Sequence, residues 1–412
     1  MDKIEELLTR GVDKIYPSKE KLKELLKKGP ITLYQGFDPT GDKLHIGHMI
    51  GLRKLAQFQK QGHKVIFLIG TGTGQAGDPS GKTTAREKFL SEEVLRKNAA
   101  DYVMQAKKIL NFEGENKVNI KYNSDWFNTM TIPFFLTMIG QFSLQQLIER
   151  DLFQDRIKRG ESINLRAFLY PILQGYDSVK LGVDLEIGGS DQTFNMLIGR
   201  DMVKYRDPQK EKYVLTTPLL TDADGVKIGK SEGNIIGLTD RPNDLFDKIM
   251  TLPDGMTVKA LEYLTDVPMD EIKRIEQKIK SGENPIEYKY KLAFEIVKQL
   301  NDEKSANEAK NNFREVKIED NMLPVFNMTS LPTWPIPRNP VSGVSIAEPL
   351  ISAGIVTSRS EYKNLIRQSG ITVLTQKGSK IEEKLITDPD QSPQPNTIIR
   401  VGNNRFVKIK TK

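Results

Sequence analysis

The sequence predicts an α/β fold built on a parallel sheet, and two observations predict it. Wholly apolar strand-like runs alternate with helical patterns in the N-terminal half, as where HKVIFLIG (63–70) follows HMIGLRKLAQFQKQG (48–62). Continuous apolar strands belong to sheets covered on both faces. Polar clusters at 34–48, 72–82 and 186–195 stand at the ends of such runs, where open parallel sheets hold their ligands.

The elements follow in order. Residues 2–29 read as two short helices, the second capped by Ser18 after Pro17 and stopped at Gly29-Pro30. ITLYQGFDPTG (31–41) is a β-branched and aromatic strand running into a turn. A helix and the strand at 63–70 complete a βαβ unit that opens into a Gly-rich loop. VNIKYNSDW (118–126) and DLEIGGSDQ (184–192) are two further strands with polar ends. Residues 127–165 read as helices inserted between strands, with aromatics that together suit an interface, although any single one is more often ordinary core. Residues 240–318 are rich in Lys and Glu at helical spacing, 319–344 form a Pro-rich linker, and 345–412 a small α+β module.

Bulk properties narrow the function. A chain of 412 residues suggests two or three domains. No stretch approaches the roughly 20 continuous apolar residues that a membrane span needs. The N-terminus reads as a charged amphipathic helix and not as a signal peptide. Zero cysteines exclude disulfides and thiolate metal sites, and a reducing cytoplasm is the expected compartment. Net charge is +7, and residues 345–412 carry eleven Lys/Arg against six Asp/Glu. A basic terminal module on a nearly neutral body suits a nucleic-acid contact, although a solvated basic face explains the total almost as well.

The strongest motif is Asp38-Pro39-Thr40-Gly41 followed by His45-Ile46-Gly47-His48, where two of the chain's three histidines enter a helix. A single histidine is more often a structural residue. Two at this spacing, over a helix N-terminus with free N–H groups and a positive dipole end, suit a phosphate. Gly47 admits close approach of a planar ligand such as adenine, and the imidazoles can donate to an α-phosphate as charge builds there. Metal binding is the rival reading, and no third ligand is apparent. Lys227-Ile228-Gly229-Lys230-Ser231 is, out of context, a solvated loop. Beside the first motif it reads as a clamp for β- and γ-phosphates. A carboxylate attacking an α-phosphate is already ionised at pH 7, so it needs alignment and charge stabilisation, not a general base. Tyr170, Gln174 and Asp177 fall at i, i+4 and i+7, which turns one helix face with an unusual polar stripe toward one pocket.

These segments resemble a known family. His45–His48 is similar to the HIGH motif of class I aminoacyl-tRNA synthetases, and Lys227–Ser231 to their KMSKS loop. Residues 34–40, 77–82, 170–177 and 188–192 resemble the tyrosyl-tRNA synthetases, in the family's order and over essentially the full chain. The resemblance implies a Rossmann-like catalytic domain (1–239), an α-helical anticodon-binding domain (240–318) and a C-terminal RNA-binding module. It implies ATP with Mg²⁺, L-tyrosine and tRNA(Tyr) as partners, and a homodimer joined through the inserted helices. By resemblance, Tyr34 and Asp177 meet the phenolic hydroxyl, while Tyr170, Gln174 and Asp78 hold the α-ammonium group with Gln192 nearby. Gly36, Asp38, Pro39, Gly47, Gly189, Asp191, Lys230 and Ser231 line the ATP. Thr40, His45, His48, Lys227 and Lys230 act on the phosphates; Lys82 reads equally well as a phosphate contact or a surface lysine.

The chain departs from the family pattern at Ile228-Gly229 (Met-Ser there), Thr193-Phe194 (Trp-Gly in many bacterial members) and Glu186. Many members have Gln at this last position, so Glu186 is expected to add a negative charge near the substrate amine. Arg359, Lys363 and Arg367, at four-residue spacing, form a basic helical stripe suited to an RNA backbone. Three rivals stand beside this reading: an RNA-binding protein that has lost catalysis, a small-molecule nucleotidyltransferase, and the tryptophan-specific relative. Intact His45, His48, Lys227 and Lys230 argue against the first, the basic module against the second, and Tyr34 with Asp177 against the third.

Overall fold

The computed structural model describes every residue except 1, 42, 79–89, 150, 222–234, 314–332, 337–344, 354, 357, 369, 378–379, 395–396, 402–404 and 412. The chain forms two compact units, 1–310 and 311–412.

The larger unit is organised by a six-stranded sheet: β1 (Lys14–Tyr16), β2 (Thr32–Phe37), β3 (Lys64–Ile69), β4 (Asn119–Tyr122), β5 (Leu185–Gly189) and β6 (Tyr213–Thr217), in the spatial order β1-β6-β5-β2-β3-β4. Five strands run parallel, and β1 closes one edge antiparallel to β6. The four strands expected from sequence are β2 to β5. The segment 2–29 contains the two expected helices, Lys3–Leu7 and Lys19–Lys28, with Ser18 accepting from the Lys21 amide as the cap. Between them lies β1, too short at three residues to show an alternating pattern.

The order fixes where a ligand can sit. From β2 the chain moves outward through the helix Ile46–Lys60 to β3 and then β4, whereas β5 lies on the other flank of β2. Crossovers leaving in opposite directions open a crevice at the carboxyl ends of β2 and β5. The interior of the sheet is apolar, with Val65 to Ile69 of β3 all buried. A buried Glu186 in β5 and a buried Lys212 just before β6 are exceptions. The inserted region folds as helices Ile132–Ile139, Leu144–Ile148 and Asp151–Lys158 ahead of the longer helix Leu165–Leu181.

Residues 242–312 are helical, as their Lys/Glu periodicity predicts. They are tied to the sheet layer by two buried arginines. Arg53 pairs with Asp266 at 2.6 Å, and Arg10 donates to the Glu262 carbonyl at 3.1 Å and the Val267 carbonyl at 2.9 Å. Lys54, also buried, donates to the Leu7 and Arg10 carbonyls at 2.9 and 2.6 Å.

The smaller unit carries helices Ala347–Ser352 and Arg359–Arg367 on a five-stranded sheet. Its strands, β7 (Thr333–Ile336), β8 (Ile371–Lys377), β9 (Lys380–Leu385), β10 (Thr397–Val401) and β11 (Arg405–Thr411), lie in the order β7-β11-β10-β8-β9. The core gathers Ile346, Leu350, Tyr362, Ile371, Ile399 and Val407. Strand β7 falls inside the stretch read as linker and pairs parallel with β11. Its TWPI sequence is β-prone, but the surrounding prolines masked that signal.

Candidate active site

A cavity of about 370 Å³ opens at the crevice between β2 and β5. Its wall includes Tyr34, Gly36, Asp38, Thr40, His45, Gly47, His48, Asp78, Tyr170, Gln174, Asp177, Gly189, Asp191 and Gln192, which the sequence singled out across more than 150 positions. Pro39 is not part of the wall; its carbonyl accepts from the Asn98 amide at 2.9 Å. Lys82, Lys227, Lys230 and Ser231 lie outside the described residues. Arg359, Lys363 and Arg367 belong to the smaller unit, all three exposed on one helix, with Arg359 paired to Glu348.

The two histidines are built into the start of the helix Ile46–Lys60. His45 is the N-cap, and its Nδ1 accepts from the Gly47 amide at 3.1 Å; His48 Nδ1 accepts from the His45 amide at the same distance. A ring nitrogen that accepts carries no proton, so both neutral imidazoles hold theirs on Nε2. Each ring is therefore a hydrogen-bond donor through Nε2, and the ring centroids lie 4.0 Å apart. This changes how the motif can meet an anion. The Ile46 amide is taken by the Ile236 carbonyl at 3.0 Å, the Gly47 amide by His45, and the His48 amide by the His45 carbonyl at 2.8 Å. The first-turn N–H groups are thus spent internally, and donation to a phosphate passes to the imidazoles. Gly47 has a steric reason of its own: a Cβ there would sit 2.9 Å from His45 Cε1.

Also on the wall, Tyr34 is fully buried and its hydroxyl lies 2.8 Å from Ser178 Oγ. Burial, reinforced by the Glu186 and Asp177 carboxylates, pushes its phenol well above the usual range. Asp177 is buried as well, and loss of solvent pushes its carboxyl well up, against the hydrogen bonds it accepts from Asn123 Nδ2 at 3.1 Å and Trp126 Nε1 at 3.0 Å. A carboxylate can accept about four hydrogen bonds, so capacity remains for a ligand hydroxyl.

Asp38, directly after β2, is a further wall residue. Its Oδ2 accepts from the Tyr170 hydroxyl at 2.8 Å and its Oδ1 from Thr73 Oγ at 2.7 Å. Asp38 also explains Gly70, where a Cβ would fall 1.8 Å from Oδ1. Gln192 donates to Asp78 at 2.9 Å, and Gln174 to Glu186 at 3.2 Å. The expected extra charge of Glu186 does not stand alone. Lys212, fully buried, makes a close ion pair with it and also donates to the Met196 carbonyl at 3.0 Å. Burial pulls the Lys212 ammonium down, opposed by Glu186.

Sequence reasoning missed Asn123, Trp126, Thr73, Ser178, Asn195 and Lys212. Asn123 ends β4 and Thr73 stands in a polar cluster at a strand end, so the rule that found Asp38 covers both. Lys212 gave no signal, because its partner lies 26 residues away on a neighbouring strand.

Residues 26–316, well over half of the chain, match the family described as tRNA synthetases class I (W and Y). The chain belongs to that family. Among its relatives, the tyrosine–tRNA ligase of Carboxydothermus hydrogenoformans is 38% identical over 412 residues, covering 98% of this chain and 97% of that protein. The tyrosine–tRNA ligase of Haemophilus ducreyi is 36% identical, with 98% and 97% covered. The structure is similar to a C-terminally truncated mitochondrial tyrosyl-tRNA synthetase of Coccidioides posadasii, with a TM-score of 0.62 and 27% identity over 76% of this chain and 91% of that one.

Proposed function

We propose that this chain is a tyrosine–tRNA ligase that joins L-tyrosine to ATP, giving tyrosyl-adenylate and pyrophosphate, and then passes tyrosine to the 3′-terminal adenosine of tRNA(Tyr). The observation that carries this reading is one cavity whose wall holds both two imidazole donors and a buried Tyr34–Asp177 pair.

The tyrosine carboxylate attacks the α-phosphorus while the bond to the β-phosphate bridging oxygen breaks. Negative charge building on the α-phosphate oxygens meets the Nε2–H groups of His45 and His48, donors already held in place by the helix start. Lys227, Lys230 and Ser231 take the β- and γ-phosphates with Thr40 alongside, and Mg²⁺ arriving with ATP would offset part of their negative charge. Two described anchors support this role for the lysine segment: Leu220, before it, lines the cavity, and Ile236, after it, is hydrogen-bonded to Ile46. Gly36, Asp38, Gly47, Gly189 and Asp191 form the nucleotide side, with Pro39 adjoining Asp38 outside the wall, and a Cβ on Gly189 would lie 2.6 Å from Asp191 Oδ1.

Tyr34 and Asp177 meet the phenolic hydroxyl, whose hydrogen Asp177 accepts. Phenylalanine would leave both groups buried without their ligand partner, a cost of about 1–3 kcal/mol for each neutral group and more for a charged one. Asp78, Tyr170, Gln174 and Gln192 hold the α-ammonium group. The α-helical region 240–318 and the module 345–412 contact tRNA, the latter through Arg359, Lys363 and Arg367. The homodimer forms through the inserted helices, where Ile132 is 74%, Leu136 57% and Leu144 54% exposed. Large apolar side chains this open on a folded surface suit a partner surface.

The test is ATP–pyrophosphate exchange with each of the twenty amino acids. Exchange driven by tyrosine alone supports the assignment. Exchange driven by tryptophan, or by none, overturns it.

A further inference from the structure

Asn195, in the first turn of the helix Thr193–Arg206, is completely buried and takes no part in the cavity wall. Its side-chain nitrogen lies 3.0 Å from Gln174 Oε1 and 2.8 Å from Gln192 Oε1. The far ends of both glutamines meet acids: Gln192 Nε2 donates to Asp78 Oδ2 and Gln174 Nε2 to Glu186 Oε1. That chain of contacts fixes every amide by elimination. An ionised carboxylate only accepts, so each glutamine must turn its NH₂ toward its acid and its carbonyl toward Asn195. Asn195 must then offer its NH₂, with one hydrogen for each carbonyl. Its own Oδ1 is left buried with no hydrogen-bond partner among the described residues. An orphaned buried acceptor costs about 1–3 kcal/mol, and the site tolerates that cost while using both amide hydrogens.

The end of the chain at Glu186 is held in turn. Lys212 pairs with its carboxylate, and Ser178 donates to Oε2 at 3.2 Å. The result is two carbonyl oxygens gathered on one nitrogen, with the Asp78 carboxylate beside Gln192. A primary ammonium group has three N–H donors, and these three acceptors match it in number.

We propose that Asn195 is a positioning residue for amino-acid selection: by holding the Gln174 and Gln192 carbonyl oxygens together, it builds the acceptor set for the substrate's α-ammonium group without touching the substrate. This inference rests on the assignment of Gln174, Gln192 and Asp78 to that group.

The experiment compares L-tyrosine with 3-(4-hydroxyphenyl)propanoate, which lacks only the amine, as substrate and competitive inhibitor of pyrophosphate exchange. The variants are Asn195→Asp, which keeps the shape but removes both donors, and Asn195→Ala, which removes them without adding charge. The expected result in either folded variant is a KM for tyrosine raised about ten- to a hundredfold, the scale of one or two lost hydrogen bonds to a charged group. KM for ATP and the inhibition constant of the deamino compound stay within about twofold of the parent. An equal loss for both ligands would mean that Asn195 only supports packing, and unchanged tyrosine affinity would mean that it positions nothing; either overturns the inference. Failure of the parent enzyme itself to exchange with tyrosine would instead strike the functional assignment on which it rests.

Discussion

Replacing Lys212 with Met is the most direct way to ask what holds the cavity wall around Tyr34 and Glu186 together. Lys212 has no exposed surface and Glu186 keeps 2%, so the pair is removed from water almost entirely. Met fills much of the lysine volume but strands the Glu186 carboxylate without its cation, leaving it neutral donors such as Gln174 and Ser178. Breaking a buried pair from one side costs about 3–5 kcal/mol, chiefly from the uncompensated charge. The double variant Glu186→Gln, Lys212→Met removes that charge and keeps an acceptor for Gln174, so most of the loss should return. The pH dependence has a definite sign. A stranded buried carboxylate binds its proton more tightly folded than unfolded, so the deficit of Lys212→Met shrinks as pH falls from 7 toward 5. Urea unfolding followed by tryptophan fluorescence, with tyrosine-dependent exchange in parallel, measures both stability and site integrity. A single variant within about 1 kcal/mol of the parent, or a double variant no better than the single, would refute the reasoning.

Tyr34→Phe should lower kcat/KM for tyrosine about 3- to 10-fold, the scale of one neutral hydrogen bond. Asp177→Asn should cost more, about 10- to 150-fold, because an amide there turns its NH₂ against either Trp126 Nε1 or Asn123 Nδ2, both donors. Steady-state exchange kinetics check both, and the opposite ranking would contradict the assigned roles. Burial pulls the Lys54 ammonium down from 10.5 to about 7. The unfolded chain therefore binds more protons between those values, and stability rises with pH across that window, by at most about 5 kcal/mol on linkage; Lys54→Met should flatten this slope in urea titrations at pH 7 and 9. Ile132→Asp together with Leu136→Asp should convert a dimer to monomers in sedimentation equilibrium, since charge on an apolar contact face is desolvated without a partner.

Much of the site was legible because ligand-binding residues in an open parallel sheet stand at strand ends, and strand ends show in sequence as apolar runs breaking into Gly, Asp and Asn. Asp38, Gly189 and Asp191 follow that rule directly. The 3.6-residue period exposed Tyr170, Gln174 and Asp177 as one stripe without any knowledge of what it faces. What stayed hidden is pairing across the sheet. Lys212 looks like a surface lysine until β5 and β6 lie side by side, and Asn195 looks like ordinary helix until two glutamines converge on it. The histidine motif lies on the cavity wall, but its physical account from sequence was incomplete. The helix start seemed to offer free amides, whereas the imidazoles themselves cap it. Strand β1 was lost for want of length, and β7 for its prolines.

The backbone pairing near His45 has a mechanical consequence. Ile46 donates to the Ile236 carbonyl and Leu238 to the Leu44 carbonyl, so the strip 44–46 and the strip 236–238 are zipped together, while at the other end the chain leaves β6 beside the cavity at Leu220. The two flanks of 222–234 are therefore both fixed beside the cavity, one at Leu220 on its wall and the other on the histidine-capped turn. Leu238→Pro, which removes the donor to Leu44, should loosen that turn and disturb the imidazoles even with both lysines kept.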